Sequence, residues 1–162
     1  VFMLKKIVFS IILIVSACGY GITGDNPKDW ALGVVIGEPT GISLKYWHSE
    51  NVGFALSTAW TVSEPMTKLY LHFDYLKHNY KIFDVKEFTG KLPLYYGVGF
   101  IANTESTAVR QTSKFGLRIP IGVEYIFKEI PFDFFAEICP GFILSPSTEI
   151  TLGTGLGIRF FF

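Results

Sequence analysis

The stretch Glu149-Ile-Thr-Leu-Gly-Thr-Gly-Leu-Gly-Ile-Arg-Phe-Phe-Phe162 decides how the rest of the chain is read. Taken with a period of two, Ile150, Leu152, Thr154, Leu156, Ile158, Phe160 and Phe162 fall on one face. Thr151, Gly153, Gly155, Gly157, Arg159 and Phe161 fall on the other. Side chains alternate across a strand, so this is a β-strand with one apolar face and one face that is small, polar or charged.

Working back from it, the sequence shows no helical periodicity from Trp30 onward. Alternating segments are separated instead by Gly, Pro, Ser, Asn or charged clusters. Eight such segments can be drawn, at 30–37, 41–48, 52–62, 67–80, 92–102, 114–126, 131–143 and 149–162. Most reach the roughly nine to eleven residues that a tilted strand needs to cross hydrocarbon.

The two faces of these segments differ in kind. One collects residues such as Trp30, Leu32, Val34, Ile36, Leu56, Trp60, Leu71, Phe73, Val98, Phe100, Ile121 and Phe134, without an acid or a base. The other holds Ser43, Lys45, Ser57, Lys68, His72, Asp74, Arg118, Glu124, Asp133, Glu137 and Arg159. After Trp30 every glycine except Gly90 falls on this polar face. A narrow closed barrel has little room inside, so its large inward side chains must be interleaved with tiny ones, whereas a face turned to lipid has no such limit. The glycine-rich face is therefore the lumen. A soluble barrel with the reverse orientation would have to pack the aromatic face inside an eight-stranded lumen. Trp30, Tyr46, Tyr75, Tyr96, Tyr125, Phe132, Phe160 and Phe162 also fall at one end of the apolar face, as interfacial aromatic girdles do. The expected fold is all-β: an eight-stranded antiparallel up-and-down transmembrane β-barrel with short periplasmic turns, both termini lying on the periplasmic side.

Length and composition agree with one domain. The chain has 162 residues, sixteen of them Phe, and zero formal net charge. Without a basic excess there is no electrostatic case for nucleic acid. Ahead of the strands, Lys5-Lys6, an apolar run from Ile7 to Val15 and the small pair Ser16-Ala17 form the three-part layout of a secretory signal, too short for a stable membrane span. The expected organisation is a leader over 1–19 and a barrel over 20–162. Val15-Ser16-Ala17-Cys18 also reads as a lipobox ending at Cys18. Ordinary cleavage is favoured because a barrel needs no lipid anchor. Cys139 then has no intramolecular partner and there is no disulfide framework.

Several stretches resemble the small outer-membrane β-barrels grouped with the OmpA transmembrane domain. They are Gly37-Glu-Pro-Thr-Gly-Ile-Ser-Leu-Lys-Tyr-Trp47, Asp74-Tyr-Leu-Lys-His78, Leu92-Pro-Leu-Tyr-Tyr-Gly-Val-Gly99, Gly116-Leu-Arg-Ile-Pro-Ile-Gly122 and Phe135-Ala-Glu-Ile-Cys-Pro140. Gly157, Phe160 and Phe162 resemble the signal that barrel-assembly machinery reads on a closing strand. The resemblance covers essentially the whole mature chain. It implies export through the periplasm, a location in the bacterial outer membrane, and that machinery as a partner during biogenesis.

The chemistry-bearing residues lie mostly in the lumen. Lys45, Lys68, Arg118 and Arg159 oppose Asp74, Glu124, Asp133 and Glu137, four charges of each sign. Counting from the turn at Lys128-Glu129 sets Glu124 opposite Asp133, with Arg159 beside them. The guanidinium fork is suited to separating two carboxylates. The expectation is an ion-pair network that fills the lumen, with no catalytic, cofactor or metal site; three scattered His and one mature Cys lack ligand spacing. A polar loop over 103–113 is the expected surface for a host or cell-surface ligand, with Thr104, Glu105, Arg110 and Gln111 as its contact candidates. The expected protein is a monomer surrounded by outer-membrane lipids, with a structural or surface-interaction role. An outer-membrane lipid-modifying enzyme and a narrow pore are the alternatives.

Overall fold

The computed structural model describes residues 29–38, 40–63, 66–83, 90–107 and 111–162. The expected leader and Arg110 lie outside the described residues. The described chain forms nine strands: β1 (Trp30–Glu38), β2 (Gly41–Ser49), β3 (Val52–Ser63), β4 (Met66–Asn79), β5 (Leu94–Thr107), β6 (Gln111–Arg118), β7 (Ile121–Ile126), β8 (Phe132–Ser145) and β9 (Glu149–Phe161). Successive strands pair antiparallel, β6 and β7 excepted, and β1 pairs with β9 to close the ring. β6 and β7 lie end to end between β5 and β8, and each pairs with both. They occupy one position in the wall, which therefore has eight. The fold is an all-β antiparallel up-and-down barrel.

The segment expected as one strand over 114–126 is interrupted at Ile119-Pro120 because proline has no N–H to give to a ladder. Pairing continues across the break. The Ile119 amide donates to the Pro140 carbonyl at 2.8 Å, and the Gly97 amide donates to the Pro120 carbonyl at 2.9 Å. Alternation is kept as well. Gly116, Arg118, Pro120, Gly122 and Glu124 are buried, while Ile119 and Ile121 are exposed.

The polar loop expected over 103–113 is mostly ladder. Asn103 faces Lys114, Thr104 faces Ser113, Glu105 faces Thr112 and Ser106 faces Gln111. Polarity there marks the end of the apolar exterior, not the end of the strands. Threonine suits an extended backbone, and a hydrated strand needs no apolar side chain.

The apolar side chains largely point outward. Leu71, Phe73, Tyr96, Val98, Phe134 and Ile138 are all exposed on the outer wall, and one small apolar cluster of Ala55, Leu76, Tyr95 and Phe135 is buried inside. At one end the exterior carries ring pairs, Trp30 with Tyr46 at 4.7 Å and Phe132 with Phe160 at 5.2 Å. Phe54 joins them between Phe73 and Tyr75.

Inside, bulky side chains sit across from glycines. Tyr95 faces Gly122, Phe135 faces Gly157, Asp74 faces Gly99, Arg118 faces Gly141 and Arg159 faces Gly33. A Cβ added at Gly122 would lie 2.5 Å from a ring carbon of Tyr95 and the same distance from the Ala136 carbonyl oxygen, so neither ring nor backbone has room to yield. Gly122→Val is expected to destabilise the barrel by about 1–3 kcal/mol through overpacking. Circular dichroism during heating in detergent checks this, and an unshifted melting curve would count against the packing argument.

Candidate functional site

The inward faces of β2, β4, β7, β8 and β9 bring Lys45, His78, Glu124, Asp133 and Arg159 into one fully buried group. Arg159 is its hub. Its Nε donates to both Asp133 oxygens, at 3.0 and 3.1 Å, and its Nη2 donates to Glu124 Oε1 at 2.7 Å. The Lys45 ammonium donates to the second Glu124 oxygen at 2.5 Å. Two cations thus meet two carboxylates in a space that excludes solvent, and each charge has a partner, as a buried charge requires. The counted register differs by two residues from the observed one. Asp133 faces Ile126 and Arg159 across the ladders, while Glu124 faces Phe135. The length of the arginine side chain lets Arg159 span both carboxylates all the same.

Aromatic rings shape this group. The Arg159 guanidinium lies 4.1 Å from the centre of the Phe135 ring, and Lys45 Nζ lies 3.9 Å from that of Trp47. Cations over ring faces are favourable where water is absent. His78 Nε2 lies 2.9 Å from Lys45 Nζ and 3.1 Å from Glu124 Oε2. One ring nitrogen cannot accept from the ammonium and donate to the carboxylate at once, so the tautomer decides which bond forms. Below this group, in the turn after β4, burial and the charge of Glu124 push the Tyr80 hydroxyl pKa up.

A second group lies further up the lumen. Arg118 pairs with Glu137 through Nη2, and its Nε lies 3.2 Å from Asp74 Oδ1. His72 Nδ1 lies 2.6 Å from Arg118 Nη1 and 3.2 Å from Asp74 Oδ2. Tyr95 stands between the two groups, its hydroxyl donating to Glu137 Oε2 at 2.9 Å and its ring 5.8 Å from Lys45 Nζ. Lys68 joins neither group. It is part-exposed near the outer rim and pairs with Glu105 at 3.2 Å, on a neighbouring strand. Gln111 lies on β6 and is exposed; Thr104 Oγ1 lies 3.4 Å from Ser113 Oγ on the facing strand.

The residues that the expected ion-pair network left out are His72, His78, Trp47, Tyr95 and Phe135. Each falls on the inward face by position, and for Tyr95 and Phe135 the glycine across the ladder is the available signal. Cys139 is buried. Among the described residues no set of three or more His, Cys, Asp or Glu is placed to hold a metal ion.

Ser57 faces His72 across the β3–β4 ladder, and His72 contacts Asp74, which gives the residue types of a nucleophile, a base and an orienting acid. Other requirements are missing. Ser57 makes no hydrogen bond to His72 among those the described residues form, and the cavity they share is about 50 Å³. Ligand pockets are roughly 300–1,000 Å³. The surrounding backbone amides belong to strand ladders, so none is left to stabilise an oxyanion there.

The fold is that of the small eight-stranded outer-membrane β-barrels. The chain is similar to the N-terminal β-barrel domain of Pseudomonas aeruginosa OprF, with a TM-score of 0.57 and 18% identity over 85% of this chain and 100% of that one. Neisserial surface protein A matches with a TM-score of 0.49 and 16% identity, over 82% of this chain and 93% of that one. Ail, the attachment invasion locus protein of Yersinia pestis, matches with a TM-score of 0.37 and 16% identity over the same shares. No protein-family model matches the chain, and no curated protein matches it.

Arg159→Leu leaves Glu124 with one cation and Asp133 with none. The expected loss is about 3–5 kcal/mol, the usual result of breaking a buried ion pair from one side. Lys68→Ala, which removes a part-exposed pair, is expected to cost no more than about 1 kcal/mol. Urea unfolding of both variants in detergent tests the contrast; similar losses would contradict the division into buried and rim charges.

Proposed function

We propose that the protein is an integral outer-membrane β-barrel with a structural or surface-interaction role and no catalysis, its lumen filled by the ion-pair network. The observation that carries this reading is the inversion of the usual soluble pattern. Charged residues are buried inside the ring, large apolar residues cover the outside, and an aromatic belt lies at one end. In water such an exterior would aggregate; in a bilayer it is the lipid-facing surface. Closure of the ring leaves no bare edge along most of the wall, which a strand in hydrocarbon requires.

Eight-stranded barrels are generally filled by side chains, while water-filled porins use about sixteen to eighteen strands. The two charged groups, with Tyr95 between them, fit the filled kind. The Ser57, His72 and Asp74 arrangement does not favour the enzyme alternative, because its cavity is too small for a lipid ester and lacks oxyanion donors. What the barrel offers to other molecules is then its outer rim. There β4, β5 and β6 carry Thr104, Glu105, Lys68 and Gln111 above the apolar band. A host or cell-surface ligand would meet this edge.

The expected behaviour is recovery in the outer-membrane fraction, with a gel mobility that changes on boiling. Recovery as a soluble periplasmic protein would end this reading. Planar-bilayer recording of the purified barrel is expected to show no steady conductance, and a stable open level would favour the pore alternative.

A further inference from the structure

The wall is not of even height. β1 ends at Glu38 and β2 begins at Gly41, whereas β9 continues up to Glu149 and β3 up to Ser63. The β1–β9 ladder stops at Glu38 opposite Thr154, and the β2–β3 ladder starts at Gly41 opposite Ala59. Residues 149–153 therefore pair with β8 alone and residues 60–63 with β4 alone, and among the described residues neither has a partner strand on the side that faces the other. Between them is a notch two strand positions wide, about 14 Å from edge to edge at normal strand spacing. At its base Gly37 and Thr40 are hydrogen-bonded to each other. The Thr40 hydroxyl donates to the Gly37 carbonyl at 3.0 Å and accepts from the Gly37 amide at 3.3 Å.

The exterior places this notch at the level of acyl chains. On β5 and β6 the outward positions become polar toward the rim, with Thr104, Ser106 and Ser113. On β9 the outward positions beyond Thr154 are apolar to the tip, with Leu152 and Ile150. Ile150, Ile36, Leu152 and Phe100 are the four most exposed large hydrophobic residues, at 77, 70, 69 and 66%. Three of the four, Ile36, Ile150 and Leu152, border the notch, each with a paired strand on one flank only. Trp60 borders it from the β3 side.

The bare edges are polar. The Phe162 amide donates to Trp30 O, so even-numbered residues of β9 direct their N–H and C=O toward β1. At Leu152 and Ile150 those groups open into the notch. Backbone groups at that depth need hydrogen-bond partners, since hydrocarbon supplies none. The foot of the notch adjoins the lumen, where Gly153, Thr154 and Gly155 border the cavity that also touches Ser43 and Ser57.

A molecule that fits must be apolar along its length and carry a hydrogen-bonding head. We propose that the notch holds one lipid of the outer leaflet, its acyl chain lying against Ile36, Ile150, Leu152 and Trp60 and its polar head bonded to the bare strand edges. The proposal rests on the membrane reading above, and the notch is continuous with the lipid-facing surface which that reading defines. An extended peptide or a second copy of the chain could bond the same edges. Neither has the reason to be present at this depth that a lipid has.

Native mass spectrometry tests the proposal on the folded barrel in mild detergent, supplied separately with phosphatidylethanolamine and with lipid A. One adduct is expected with one of the two, which identifies the class of headgroup. The paired change Ile150→Ser and Leu152→Ser is expected to weaken it about tenfold. Val98→Ser with Phe100→Ser, on the wall across the barrel, is expected to leave it unchanged. If the first pair does not fold, Ile150→Ser alone at the hairpin tip is expected to act in the same direction. A wild-type barrel without an adduct, equal weakening in both pairs, or a dimer in place of the adduct would overturn the notch. Insertion into phosphatidylethanolamine vesicles is scored in parallel. A chain that inserts but binds no lipid refutes the notch alone, and one that does not insert refutes the membrane reading.

Discussion

The interior of an eight-position ring has so little room that a large inward side chain needs a small one beside it. That constraint accounts for most of the inward sequence. Tyr95, Phe135, Asp74, Arg118 and Arg159 each have a glycine as a cross-strand neighbour. The glycines weaken the strands individually, since they add backbone entropy and pack nothing. Only a closed interior gives them a purpose, and the same closure turns the apolar side chains outward. Glycine placement and exterior hydrophobicity are thus two results of one geometric limit.

The limit also dictates how charge is accommodated. A lumen this tight leaves little room for solvent, so charged groups inside must satisfy one another. A buried ion pair adds little net stability over an apolar pair of the same volume, but breaking it from one side is costly. Its effect here is on register. Arg159 meets Asp133 and Glu124 only when β7, β8 and β9 are aligned as they are, and Lys45 reaches the same Glu124 from β2. A slip of one residue would exchange the faces of a strand, sending charge to the exterior and apolar residues to the lumen. The network therefore selects one closure among the alternatives that alternation alone would allow.

Alternation and glycine placement are local properties, and they made the ring, its orientation and its inward charges legible from residues alone. What depended on relative strand height was not. Lys68 shares the inward face with Asp74, yet it stands near the rim beside Glu105, because sequence parity gives a face and not a depth. Glu124 was expected opposite Asp133, but the ladder sets it against Phe135, since the turn after β7 is longer than the count assumed. The stretch 103–113 was read as loop from its polarity, although hydrated strands carry the same residues. His78 and Tyr95 lie on the expected face, but their part in the network depends on Lys45 and Glu137 arriving from strands distant in sequence.

Depth is also what separates the rigid part of the molecule from the part open to other molecules. The deeper charged group lies toward the aromatic end, braced by Phe135 and Trp47, and it ties β2, β7, β8 and β9 together where every strand has two neighbours. Toward the other end that bracing stops and the strands differ in reach. β5 and β6 rise beyond the apolar band as a paired, polar ledge, while β1 and β2 stop short of it. In a closed ring a short pair cannot be compensated by its neighbours, because each edge group bonds sideways to one particular strand. Shortening β1 and β2 therefore exposes the edges of β3 and β9 specifically, at a depth where the flanking side chains remain apolar. Both features belong to the outer half, where a change of strand length leaves the charged floor and its register untouched.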